Sequence, residues 1–227
     1  MVQSHHGRLL CWGRFKYTMA GKITALKYQK RNRDRVSVYV DGRFAFGLPA
    51  IVAASLKLGQ TLTDADLENL RQEGIIEGAY NRALNYLSYR PRSRAEMVAY
   101  LQRRGAPDGQ VSTVVGRLEA AGLVDDEAFA GFWVENRERH RPRGPMALRY
   151  ELRKKGISNE IIEAALDPLD VTDSAYRATE RKARQLSNLD QSEFSRKLVD
   201  YLARRGFGYG IAREVAERRW AELAEDG

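Results

Sequence analysis

One helix ending is written three times in this chain: Tyr100-Leu101-Gln102-Arg103-Arg104-Gly105, then Glu151-Leu152-Arg153-Lys154-Lys155-Gly156, then Tyr201-Leu202-Ala203-Arg204-Arg205-Gly206. The three glycines stand 51 and 50 residues apart. Eight residues before each lies Met97, Leu148 or Leu198, and four before lies Leu101, Leu152 or Leu202. One apolar helical face is thereby repeated three times. A unit of about fifty residues buries too little surface to be comfortably stable alone, so the units are expected to stack into an elongated array.

Each unit reads as three helices. In the first, Ile76, Tyr80, Ala83 and Leu87 stripe helix one, Ser93 and Glu96 form a capping box that opens helix two, Gly105 ends it, and Val111, Val115 and Leu118 stripe helix three. In the second, Asp125 or Asp126 caps a helix bearing Phe129, Phe132 and Trp133, Pro145 follows Gly144 as a first-turn proline, and Ser158 opens helix three with Ile157 and Ile162 placed as a hydrophobic staple. The third carries Tyr176, Thr179, Ala183 and Leu186, then Leu198 and Leu202, then Ile211 and Val215, with Trp220 and Leu223 extending its last helix.

The residues before the repeats follow a different period. Val36, Val38 and Val40 alternate strictly, Ile23 to Tyr28 and Phe44 to Phe46 flank them, and Asp41-Gly42 between two such runs is a hairpin signal, because a type I′ turn needs positive φ at both central positions. Pro49 to Leu56 is expected to fold over this small sheet as a short helix, and Thr63 or Asp64 to cap a helix carrying Leu67 and Leu70. The chain therefore reads as mainly α, with tandem three-helix repeats preceded by a small N-terminal antiparallel β-sheet. The expected segments are a disordered extension (residues 1–18), the β-rich region (19–62), a linker helix with the first repeat (63–123), the second repeat (124–168) and the third (169–227). Regular patterning starts after Met19, which is the expected natural start.

Lysine and arginine number 38 against 30 aspartates and glutamates, a formal charge of +8. The excess favours a polyanionic partner, and its clustering indicates where. Basic residues close helix two in every unit: Arg103 and Arg104; Arg153, Lys154 and Lys155; Arg204 and Arg205. Cations in a last helical turn also offset the helix dipole, by about 0.3–1 kcal/mol each, and need no partner for that. Stacked repeats would nevertheless set the three groups along one side as a stripe. A second cluster, Arg137, Arg139, Arg141 and Arg143 with His140, lies between helices one and two of the second unit beside Pro142 and Gly144. It suits phosphate contact or docking on an acidic face, or simply a solvated loop. Arg90, Arg92 and Arg94 gather at the first turn, while Arg177, Arg181 and Arg184 share a helix face that Glu180 interrupts and that reads as solvated.

Several chemistries have no residues to carry them. Gly42 and Gly47 have phosphate-loop spacing, but Leu48 and Pro49 stand where the lysine and hydroxyl belong. His5, His6 and His140 are scattered, and Cys11 is the only cysteine, which excludes an internal disulfide and a cysteine-rich zinc site and suits a reducing cytosol. No enzymatic activity and no cofactor are expected. The longest apolar run, Leu48 to Leu56, is far short of the roughly 20 residues of a membrane span. Arg205-Gly206-Phe207-Gly208-Tyr209-Gly210 mimics an aromatic RNA-binding strand, but Gly206 aligns with two helix-ending glycines, so an inter-helix turn is expected, with Phe207 left as a residue that could reach a partner.

Arg90-Pro91-Arg92-Ser93 with Glu96 and Leu101, Gly122-Leu123-Val124-Asp125-Asp126 with Phe129, Ala130 and Trp133, and Leu148, Glu151, Leu152 and Lys155-Gly156-Ile157 together resemble the RecX family pattern. The stretch from Gly122 to Trp133 is its most specific part. The resemblance implies a bacterial, cytoplasmic, non-enzymatic array of three-helix repeats that acts in recombination regulation, DNA repair and the SOS response. Its implied partners are RecA recombinase and the RecA–single-stranded DNA filament, in whose groove family members lodge and whose activity they generally limit; direct binding of single- or double-stranded DNA stays open. The family supplies no catalytic set, so the basic residues named above are assigned to the contact from charge and placement alone. A helix-turn-helix DNA-binding regulator and a helical protein-protein adaptor are the competing readings.

Overall fold

The alternation of small β-branched and aromatic residues up to Leu62 gives way to helical spacing, and the fold changes character at the same place. The structure, a computed structural model, describes residues 21–30 and 32–225; the expected extension, Met19 and Cys11 lie outside them. Strands β1 (Gly21–Gln29), β2 (Asn32–Val40), β3 (Arg43–Pro49) and the short β4 (Thr61–Leu62) form one antiparallel sheet in the order β3-β2-β1-β4. Asp41 and Gly42 take φ of 48° and 78°, as a type I′ turn between β2 and β3 requires. Val36, Val38 and Val40 point inward and pack with Ile23, Leu48 and Leu62. Ala53 of the short helix α1 (Ala50–Ala53) and Leu67 and Leu70 of α2 (Asp64–Leu87) complete that core. The sheet is too small to hide its inner face alone, and these helices cover it.

The linker helix and helix one of the first repeat are one continuous helix, α2, capped by Thr63, whose Oγ1 accepts from the Asp66 amide at 3.2 Å. Gly74 and Gly78, weak helix formers that would suggest a break, lie inside it. Gly74 is there for space, since a Cβ would run into Leu48. The chain divides into two compact units, one ending at Gly78 and the other beginning at Ala79.

In the second unit the three-helix pattern runs through to the C-terminal region. α3 (Arg94–Arg103) and α4 (Asp108–Ala120) complete the first repeat; α5 (Asp126–His140), α6 (Pro145–Lys154) and α7 (Asn159–Leu166) form the second; α8 (Val171–Leu186), α9 (Gln191–Arg204) and α10 (Tyr209–Glu225) the third. The residues eight and four before each repeat glycine, from Met97 and Leu101 to Leu198 and Leu202, are all fully buried. Asp125 caps α5 through the amides of Glu127 and Ala128, and Ser158 caps α7 through that of Ile161. Ile157 and Ile162 lie in one core cluster, as a staple would place them. In the first repeat the fully buried residues of helix one are Ala79 and Ala83, while Ile76, Tyr80 and Leu87 are half-exposed at its flanks. Phe207 is 2% exposed and packs with Leu202 and Val215, so it belongs to the core of the third repeat and offers no ring to a partner.

Gly105, Gly156 and Gly206 all have positive φ, between 77° and 85°, the left-handed step that closes helix two. Their surroundings differ. Gly105 faces open space, whereas a Cβ on Gly156 would collide with Ala95 at the start of α3, and one on Gly206 with Ala147 at the start of α6. Helix two of each later repeat thus ends against the beginning of helix two of the repeat before it. Gly105→Ala should cost about 1–2 kcal/mol of stability from backbone strain alone. Gly206→Ala should cost about 3 kcal/mol or more, because it adds a collision with backbone. Equal losses in denaturant melts of the two variants would show that the helix ends do not meet as described.

Candidate functional site

The joints between repeats decide which basic residues are available to a partner. At the first joint the Ser93 hydroxyl, already accepting from the Glu96 amide, donates to the Lys155 carbonyl at 2.6 Å. At the second, the amides of Gly144 and Met146 donate to the carbonyls of Arg205 and Gly206 at 2.9 and 3.2 Å. Carbonyls left free at the end of one helix are thus satisfied by groups at the start of another. The side chains follow. Lys155 Nζ reaches Glu96 at 2.5 Å, and Arg205 donates to the Pro142 carbonyl at 2.9 Å. Glu96 therefore does not close the capping box expected of it; its carboxylate goes instead to Lys155 and to Arg90, at 2.9 Å.

The second member of each basic pair is consequently drawn inward in the two repeats that form a joint. The first member stays out. Arg103 and Arg204 are exposed and have no partner among the described residues. Lys154 is exposed with its ammonium 4.7 Å from the Tyr150 ring, and Arg104, at the one helix-two end that meets no other repeat, lies over Tyr100. Arg153 donates to Asn159 at the start of α7.

The cluster between α5 and α6 is divided in the same way. Arg137 donates to Glu151 at 2.7 Å and covers the face of Trp133, whose indole N–H reaches the same carboxylate; Arg143 approaches Glu151 from the other side at 3.9 Å. These residues tie α5 to α6. Arg139 pairs along its own helix with Glu135, and Arg141 alone of the four is exposed with no partner among the described residues. At the first turn, Arg90 holds Glu96, Arg94 holds Glu119, and Arg92 stacks on Tyr86 at 3.9 Å. Arg177, expected as part of a solvated face, clamps the end of α5 by donating to the Glu138 carbonyl and carboxylate.

Two features had no signal in the linear sequence. One is a four-layer stack in the first repeat, Arg92 on Tyr86, Tyr86 on Tyr100 with centroids 4.0 Å apart and planes 6° from parallel, and Tyr100 under Arg104. The other is the charge triad at the first joint. Burial alone would raise the Glu96 pKa, but the hydrogen bonds and charges of Arg90 and Lys155 outweigh it and bring it down to about 2. A depressed carboxylate pKa contributes stability that is present above the unfolded value and is lost as pH falls through the folded one. The parent should therefore lose on the order of 2 kcal/mol between roughly pH 4.5 and pH 2 from this group, a loss absent from Glu96→Gln. Identical acid limbs in the stability profiles of the two proteins would show that the triad does not hold the joint.

Comparison with known proteins matches the same segments. Models of the RecX N-terminal domain and of the first, second and third RecX three-helix domains match residues 21–63, 79–118, 125–166 and 170–216. The regulatory protein RecX of Bacillus pumilus is 31% identical over 209 residues, which span 90% of this chain and 80% of that protein; the Bacillus licheniformis protein is 29% identical over 194 residues, 83% of this chain and 74% of its own. A crystal structure of a regulatory protein RecX superimposes with a TM-score of 0.71 at 26% identity, covering 86% of this chain and 98% of the other. The RecX structure from Lactobacillus salivarius gives 0.58 at 27%, covering 63% and 96%. No helix among the described residues is long and apolar enough to cross a membrane. Four consecutive domain matches on a fold of tandem three-helix repeats show that this chain belongs to the RecX family of regulatory proteins.

Proposed function

We propose that this chain binds RecA and the RecA–single-stranded DNA filament in the cytoplasm and limits recombinase activity, without catalysis of its own. The observation that carries the reading is the repetition of an exposed cation at one position of helix two: Arg103, Lys154 and Arg204 each stand two residues before a repeat glycine, on helices whose ends meet. A nucleoprotein filament is itself a repeating polyanion, so a chain that repeats a cation from module to module suits such a target. The modules involved are 63–123, 124–168 and 169–227. Lodged in the filament groove, such a chain would obstruct duplex entry and hydrolysis-coupled turnover. Direct binding of single- or double-stranded DNA would use the same cations.

The joints weigh against a sequence-specific DNA reader built on helix two. Such a reader needs a helix N-terminus free to meet base edges, and the first turns of α3 and α6 are packed against a neighbouring repeat. An adaptor contacting only protein would instead bind with little dependence on salt.

Reversal of Arg103, Lys154 and Arg204 to glutamate should preserve helicity and reduce affinity for the filament by at least about tenfold near physiological salt, with a log–log salt slope shallower by about 2. Lys155 and Arg205 are left intact because they hold the joints. Unchanged affinity in a variant with native circular dichroism would sink the assignment, and an unchanged slope would remove phosphate from the contact.

A further inference from the structure

The three repeats differ at one place in a way that leaves a hole. Helix one of each carries a fully buried alanine, Ala79, Ala130 or Ala175, and the next residue is Tyr80, Gly131 or Tyr176. Twelve residues after each repeat glycine, on or just past helix three, stand Arg117, Pro168 and Arg218. In the first repeat Arg117 lies over the Tyr80 ring at 4.2 Å; in the third Arg218 lies over Tyr176 at 4.3 Å, with Arg219 also on that ring. A tyrosine roofed by an arginine closes the seam between helices one and three in both. The middle repeat has neither member, with glycine in place of the ring and proline in place of the cation, and its helix three ends early at Leu166.

What remains is a groove of about 500 Å³ between α5 and α7, floored by Gly131, Ile161, Ala164 and Ala165. Its rim carries Glu127 and Glu160, both exposed and neither in an ion pair among the described residues. Both stand in the first turn of their helices, where a carboxylate suits the helix dipole and its outer oxygens stay available to a cation. The sister repeats show what fills this seam, an aromatic ring with a cation on it, and the unpaired carboxylates are placed to receive that cation.

We infer that the groove of the second repeat is a docking site for a helical segment of a partner protein that presents an aromatic side chain with an arginine or lysine one turn further on. Tyr100 with Arg104 and Tyr201 with Arg205 show in this chain that such a spacing sets the cation over the ring. The ring enters above Gly131 and the cation meets Glu127 and Glu160. On this chain the contact is acidic, and so is separate from the cationic helix-two positions. It rests on the reading above only for its occupant: where that reading holds, the segment belongs to the recombinase in the filament.

The test uses the full chain and Gly131→Tyr, which restores the ring its sister repeats carry. Gly131 is interior to α5 and an added Cβ meets no neighbour, so the variant should melt at or above the parent's Tm. In the 15N-labelled parent, a helical alanine–glutamine peptide with tyrosine and arginine four residues apart should move the amides of Gly131, Ile161 and Ala164. The same peptide with alanine for tyrosine should not, nor should either peptide move them in the variant. No shift at millimolar peptide, or equal shifts from both peptides, overturns the proposal. Against filament, the variant should bind about tenfold more weakly than the parent. Equal affinity overturns the docking site whatever the peptide does and leaves the cationic contact standing. If the parent does not bind filament at all, the functional reading fails and the peptide shifts alone decide the groove. Dimerisation of the parent that Gly131→Tyr abolishes would put a second copy in the groove and reject a foreign partner.

Discussion

The repeats are held by a contact between helix ends. A helix C-terminus leaves carbonyls without partners and a helix N-terminus leaves amides without partners, and here each supplies what the other lacks. The Ser93 hydroxyl on the Lys155 carbonyl, and the amides of Gly144 and Met146 on the carbonyls of Arg205 and Gly206, join one repeat to the next. The joint also brings the positive end of one helix dipole to the negative end of another. It closes only because Gly156 and Gly206 take a left-handed turn and carry no Cβ into the residues opposite, which makes the glycine at once the end of a helix and the seat of its neighbour.

That arrangement also decides how much of the positive charge is free. A formal charge of +8 suggests a surface rich in free cations, yet many of the arginines and lysines named from the sequence are engaged within the chain. Lys155 and Arg90 neutralise Glu96, Arg137 and Arg143 converge on Glu151, Arg177 closes the end of α5, and Arg205 secures the second joint. Such half-buried pairs fix how helices and repeats pack. Among the cations that remain exposed on helix two, Arg103, Lys154 and Arg204 recur at a single helical position.

Repetition also makes departures from it informative. Tyr80 with Arg117 and Tyr176 with Arg218 close the seam between helices one and three in the outer repeats, and the middle repeat has neither residue. Losing one member would expose a ring or leave a cation free. Losing both, with a shortened α7, opens a groove whose acidic rim contrasts with the charge of the chain. The cationic helix-two ends and this groove are different surfaces with opposite charge.

By itself the sequence determined the elements. The Asp41-Gly42 turn, the alternating valines, the Ser158 and Asp125 caps and the thrice-written helix face are local or periodic signals, fixed by backbone geometry and by which residues must leave water. The basic positions were legible too, as residue types at a repeated spacing. Only the tertiary structure decided which of them are free, because that depends on partners far away in the chain: Glu96 meets Lys155 across 59 residues, and Arg205 meets Pro142 across 63. No periodicity encodes such meetings, since Arg104 is exposed at a helix end that no repeat packs against and Arg205 is half-buried at one where a repeat does.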